Sequence, residues 1–171
     1  MVGKQLEDKV TFLEDKPGFH EEMWSMITGI PAEAVNKMHK AADAYNAHEY
    51  DTAFKHIQKA ISMLEKETGP DFKKYVQSQF REKAGAMYQL GAKITGRLKQ
   101  RKLAYQYAKK TVELVPSYYN YYVLAVASYN VKKYKEANDN CDLALDKGPP
   151  QSIYGELTEI KKRALAHLEK N

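Results

Sequence analysis

The sequence predicts an all-α chain of antiparallel helix hairpins. Apolar residues recur at spacings of three and four through most of the 171 residues, while Gly-Pro, Pro-Ser and Gly-Pro-Pro clusters fall between those stretches. No stretch has the strict apolar-polar alternation of a half-buried strand. The composition agrees: 43% hydrophobic and 29% charged residues suit one globular domain, and a net charge of +5 is neither that of a disordered tail nor of a polycation.

Residues 1–30 read as an N-terminal extension. Pro17-Gly18 breaks it, and Phe19, Met23, Trp24, Ile27 and Ile30 predict a short amphipathic helix near 19–28 closed by Gly29. Its apolar stripe is expected to cover the open end of the next helix, with a ligand-like role for Trp24 as the alternative. Pro31 suits a first helical turn, and Ala34, Met38, Ala41, Ala42 and Tyr45 carry the period to Ala47. From Tyr50, the positions Ala53, Phe54, Ile57, Ala60, Ile61 and Leu64 continue it until Gly69-Pro70 forbids more. Asp71 is expected to cap a long third helix with a face of Phe72, Val76, Phe80, Ala84, Met87, Gly91, Ile94 and Leu98. Gly85, Gly91 and Gly96 weaken that helix by roughly 1 kcal/mol each. Further helices follow over 100–115, from Pro116-Ser117 to Val131, and over 134–147 before Gly148-Pro149-Pro150. The last, 151–170, shows Ile153, Leu157, Ile160, Ala164 and Leu168 on one face.

Short turns between these helices make hairpins near 31–67, 71–115 and 117–147, and the hairpins repeat. Tyr121, Leu124, Ala125, Tyr134, Ala137, Cys141, Ala144 and Pro149 fill the places of a pattern of bulky aromatic, Leu and small residue, then Tyr, Ala, apolar, Ala and Pro. Small residues let two helices approach, and bulky ones fill the gaps beside them. On these residues the chain resembles the tetratricopeptide repeat (TPR) family, with Ser128 where an aromatic is usual. The first hairpin keeps Ala41, Tyr45, Tyr50, Ala53, Ile57 and Ala60 but has Lys37 and Lys40 where the aromatic and Leu belong. The middle one (Tyr88, Leu90-Gly91, Ala104, Ala108, Pro116) is degenerate, fits with a one-residue slip, and carries its extra length in an elongated third helix. The resemblance implies a superhelix over 31–150 with 151–171 as its polar-faced capping helix. The first helices with Phe80-Arg81-Glu82-Lys83 are also a little similar to a microtubule-interacting-and-trafficking module.

Enzymatic chemistry is poorly supported. Five scattered histidines form no HExxH and no i,i+4 pair, Cys141 is the only cysteine, and no GxGxxG, Walker-type or GxSxG motif occurs. Cys141 reads as a small core residue, and no cofactor or metal is implied. The lone cysteine, the absence of a long apolar run and the acids Glu7, Asp8, Glu14 and Asp15 point to a cytoplasmic chain without a membrane span or leader.

Two features suit binding. Lys93, Arg97, Lys99, Arg101, Lys102, Lys109 and Lys110 form a basic block without an acid, so the rest of the chain is slightly negative. Tyr118, Tyr119, Tyr121, Tyr122 and Tyr129 crowd one helix. By the resemblance, first helices line a concave groove, which places Met38, Ala42, Tyr45 and Asn46, and Tyr122, Val126, Tyr129 and Asn130, toward a partner, with Tyr121 in the packing. Certain TPR modules, including immunophilin-type co-chaperones, hold the C-terminal Glu-Glu-Val-Asp of Hsp70 and Hsp90 in a clamp of Lys, Asn and Arg. Met38, Ala42, Tyr119 and Val123 replace it here, and thirty leading residues do not hold an isomerase domain. The sequence thus predicts a non-enzymatic adaptor, scaffold or co-chaperone-like module that binds a peptide or helix in the groove. Lys93, Arg97, Lys99, Arg101 and Lys102 would then orient an anionic partner. The alternative is an RNA- or phosphate-binding helical repeat using the basic residues 93–110.

Overall fold

The computed structural model describes residues 19–69 and 71–170 and, among them, eight α-helices and no strand. The expectations resting on the acids Glu7 to Asp15, on Pro17-Gly18, on the Phe19 side chain and on Pro70 lie outside the described residues. The helices are α1 (Phe19–Thr28), α2 (Ala32–Asn46), α3 (Tyr50–Thr68), α4 (Ser78–Arg97), α5 (Arg101–Leu114), α6 (Tyr118–Asn130), α7 (Tyr134–Asp146) and α8 (Gln151–Glu169). Each is packed chiefly on its sequence neighbour: α2 with α3, α4 with α5, α6 with α7, and α8 on α7 and α6.

One turn is built three times. His48, Lys99 and Lys132 take φ of 62°, 60° and 65°, the left-handed conformation that ends a helix. Their N–H groups donate to the carbonyls of Tyr45, Gly96 and Tyr129 at 3.0, 3.1 and 2.9 Å. The next N–H groups, of Glu49, Gln100 and Lys133, donate to Ala44, Thr95 and Ser128 at 2.8, 2.9 and 2.9 Å. This satisfies the orphan carbonyls of α2, α4 and α6. The chain re-enters a helix through Glu49, Gln100 and Lys133, all with ψ near 70° (68°, 68° and 70°).

These turns align the three pairs residue by residue. Ala41, Ala92 and Ala125 fall in one row, as do Ala53, Ala104 and Ala137, then Ile57, Ala108 and Cys141, then Ala60, Thr111 and Ala144; all are buried. The expected one-residue slip in the middle pair is therefore corrected: Ala92, not Gly91, is the small residue of the row. Gly91 has its own duty, since a Cβ there would stand 2.9 Å from the Tyr107 ring and 3.2 Å from Ile61. The departures at Lys37 and Lys40 also find a cause. Their row-mates Tyr88 and Leu124 pack back on the preceding pair, Tyr88 donating to Glu65 on α3 at 2.7 Å. Among the described residues no pair precedes α2, so lysine suits that edge.

The elongated third helix is found in part, as the 20-residue α4, but it starts later than expected and shares the extra length with other segments. The extra length lies in α3 and α4, 19 and 20 residues against 13 each for α6 and α7, and in a non-helical connection before Ser78. Asp71 caps no helix; it accepts the Lys73 N–H at 2.9 Å within a turn. Arg81 fastens this connection by donating to the carbonyls of Tyr75 (2.7 Å), Leu114 (3.1 Å) and Glu113 (2.6 Å). Phe72 is accordingly buried and Val76 is 84% exposed. On α8, Ile153, Leu157, Ile160 and Ala164 are buried, but Leu168 lies outward with Leu165 and Tyr154. The cap is less polar than expected.

Helix α1 lies on α2 and α4. The Lys83 ammonium sits 4.1 Å from the Trp24 ring centroid, and Gln77 Nε2 donates to the Ile27 carbonyl at 2.9 Å. Trp24 is thus packed against the core, in the cover role. Burial pulls the Lys83 pKa down to about 8. The unfolded chain binds that proton more tightly than the native one, so the cost of charging Lys83 is fully present below pH 8 and fades as pH rises toward the unfolded value.

Two expectations follow from this packing. The stability difference between the parent chain and Lys83→Met, measured by denaturant titration, moves by roughly 2 kcal/mol in the parent's favour between pH 8 and pH 10. Cys141, Tyr88, Tyr105 and Tyr107, whose raised pKa values cost stability over the same range, are common to both chains and cancel. Lys132→Gly, which relieves the left-handed residue of the third turn, raises stability by roughly 0.5 to 1 kcal/mol in thermal melts.

Candidate functional site

The face available to a partner is formed by α2, α4 and α6, since α4 touches both of the others. The repeat register sorts the expected site residues into rows on these helices. Met38, Gln89 and Tyr122 form one row; Ala42, Lys93 and Val126 a second; Tyr45, Gly96 and Tyr129 a third; Asn46, Arg97 and Asn130 a fourth. Two of the five basic candidates, Lys93 and Arg97, thereby join the aromatic candidates on one surface. Lys99, Arg101 and Lys102 do not: they are exposed at the α4–α5 turn.

Four of the expected contact residues are buried, Ala42 among them at 2% exposure. Met38 is fully covered, and Tyr45 and Tyr122 are each 3% exposed, so a partner cannot reach them directly. The reason is the seam between one first helix and the next. In the row of Met38, Gln89 Nε2 donates to Asn120 Oδ1 on α6 at 2.7 Å, and Tyr122 clusters with Ile153 and Leu157 on α8. Tyr121, expected in the packing, is only half-buried. The two tyrosines exchange the roles expected of them.

The third row repeats an aromatic pair. Tyr45 meets Tyr50 edge-on at 5.5 Å, and Tyr129 meets Tyr134 the same way at 5.4 Å. His167 of α8 stacks on Tyr134 at 4.1 Å and partly covers Tyr129. In the middle pair the row holds Gly96, which is exposed and has nothing within 4 Å of where a Cβ would stand. This leaves a notch where the other two pairs place a tyrosine. Cations flank it. Lys93 Nζ lies 5.6 Å from the Tyr45 ring and 5.8 Å from the Tyr119 ring, and the Arg97 guanidinium lies 5.8 Å from the Tyr50 ring. On the same three helices Tyr119, Val126 and Asn46 are half-buried and Asn130 is exposed.

The arrangement offers donors, cations and aromatic area. Among the described residues, no group of three His, Cys, Asp or Glu is placed to hold a metal ion. Burial, aided by Asp142, pushes the Cys141 thiol up to about 12, so it stays protonated within the α6–α7–α8 cluster. Gly96 and Tyr119 were not anticipated as site residues. The turn register identifies the first, because only it places Gly96 in a tyrosine row.

Comparison with known proteins adds no relative: no family model matches the chain, and no curated protein does.

The exchanged tyrosines give a direct test. Tyr122→Ala opens a core cavity and costs roughly 3 to 5 kcal/mol by denaturant titration. Tyr121→Ala costs about 1 kcal/mol or less, because that ring keeps solvent on one side.

Proposed function

We propose that this chain is a non-enzymatic, TPR-like module whose antiparallel helix pairs form a short superhelix, and that it binds a segment of another protein across α2, α4 and α6. The observation that carries the reading is the notch at Gly96, where an otherwise repeated tyrosine is missing and two cations stand at the edges. A side chain of the partner fills that space. Tyr119 and Val126 supply contact area at low entropy cost, while Asn46, Asn130 and Arg97 supply polar contacts to its backbone. Met38, Tyr45 and Tyr122 hold the surface from beneath. An adaptor or scaffold role in the cytoplasm is consistent with this reading. No helix among the described residues is long and apolar enough to cross a membrane.

The blocking variant Gly96→Tyr tests it without disturbing the fold. No atom lies within 4 Å of where the new Cβ would stand, helix propensity favours the change by a few tenths of a kcal/mol, and a thermal melt like the parent's checks that the ring is accommodated. Screened against an immobilised peptide array, the parent chain is expected to select peptides that Gly96→Tyr and Tyr119→Ala bind at least about tenfold more weakly. Binding of RNA homopolymers that falls steeply with salt and is abolished by charge reversal at Arg101 and Lys102 would favour the nucleic-acid reading instead.

The chaperone-tail clamp is absent from this reading. Met38 and Ala42 are buried, and Tyr119 and Val123 bring no cation. Peptides ending in Glu-Glu-Val-Asp are expected to bind equally in free-acid and C-terminally amidated form by calorimetry, because no charge-assisted contact to the terminal carboxylate is lost.

A further inference from the structure

A second surface lies on the opposite side of the helix pairs, between α3 and α5. Two hollows of about 690 and 730 Å³ share Glu65, Gln106 and Tyr107 in their linings, so they form one trough along α5. Ile61, Met63, Leu103 and Tyr107 give it an apolar floor on one side, and Val112 and Leu124 on the other.

The repeat register shows that this seam is built differently from its counterpart. Between α5 and α7, Tyr105 closes the gap by donating its hydroxyl to the Glu136 carboxylate at 2.7 Å, with Lys133 and Lys109 each 5.4 Å from its ring. The residues at the same positions between α3 and α5 are Phe54 and Leu103. Neither carries a hydrogen-bonding group, so the equivalent bridge does not form. An apolar trough replaces a polar strut.

Its rim is basic. Lys55 and Lys59 stand on the α3 side, and Lys109 and Lys110 on the α5 side, against two acids, Glu65 and Glu113. Both acids are engaged, Glu65 by the Tyr88 hydroxyl at 2.7 Å and Glu113 by Lys110 at 3.6 Å. The excess is positive on both walls, and an apolar floor between cationic walls matches a segment with apolar anchors and acidic flanks.

We propose that the α3–α5 trough is a second docking site, taking an acidic segment of another protein that places bulky apolar residues on Leu103 and Tyr107 and carboxylates against Lys55, Lys59 and Lys109. It is independent of the α2–α4–α6 face. A partner long enough to wrap an edge of the array can occupy both at once.

The experiment uses the full chain and a fluorescein-labelled peptide of about 12 residues, with Leu, Phe and Leu spaced along it and Asp or Glu at most other positions. Saturable binding by anisotropy with Kd below roughly 1 mM is expected. Lys55→Glu with Lys59→Glu, or Leu103→Asp, weakens it at least about tenfold, whereas Gly96→Tyr leaves it unchanged. The lysines are exposed and Leu103 is half-buried, and a melt of each variant like that of the parent confirms folding. Three results overturn the proposal: no saturable binding, equal binding of the peptide with Lys in place of Asp and Glu, or loss of binding on Gly96→Tyr alone. Concentration-dependent self-association that Leu103→Asp removes would also overturn it, by assigning the trough to a second copy of the chain.

Discussion

The fold depends on a turn that closes each helix pair the same way. A left-handed residue at His48, Lys99 or Lys132 bends the chain so that two N–H groups cap the last carbonyls of the first helix, and the second helix starts two residues on. The turn fixes which side chains oppose one another, and it can do so only if the helices then approach closely. Alanines in the rows of Ala41 and Ala53 allow that approach, and Gly91 extends it where Tyr107 lies across α4. None of the three turn residues is glycine, so packing between the paired helices must offset a local cost of about 1 to 2 kcal/mol at each turn.

Both proposed surfaces are consequences of that register. A repeat presents the same kind of residue in every unit unless the sequence departs, and the departures are where open surface appears. At Gly96 a tyrosine is missing from a row of tyrosines, which leaves space beside Lys93 and Arg97. At Phe54 and Leu103 a hydroxyl and a carboxylate are missing from a bridge that Tyr105 and Glu136 complete one unit later. In both cases a stabilising contact present elsewhere in the chain is absent, and cations stand at the edges of what is left.

Much of the architecture was legible in the sequence because it rests on local rules. The 3.6-residue period and the stops at Gly69 and Gly148 predicted helices whose bounds differ from the structure by a residue or two outside residues 71–77. That segment misled because its apolar spacing, Phe72 to Phe80, continues the helical period, while Arg81 supplies from a distance the contacts that hold the chain off-helix. The burial of Met38, Tyr45 and Tyr122 was not legible either. Adjacent rows of one amphipathic helix look alike in sequence, and only the seam between α2, α4, α6 and α8 decides which row is covered. The middle pair looked slipped because Gly91 and Ala92 are both small, and composition alone does not say which stands opposite its partner helix. The turn at Lys99 does.

The central claim is that the three pairs share one register and so bring α2, α4 and α6 together on one surface with Lys93 at its middle. Nuclear Overhauser contacts from the Lys93 side chain test this most directly, because Tyr45 and Tyr119 belong to different pairs and both rings lie within 6 Å of the ammonium. The account predicts cross-peaks from the Lys93 ε-methylene protons to both rings, with upfield ring-current shifts that weaken in Tyr45→Leu and in Tyr119→Leu. Cross-peaks to neither ring, or to aromatic residues of α5 and α7 instead, would contradict it.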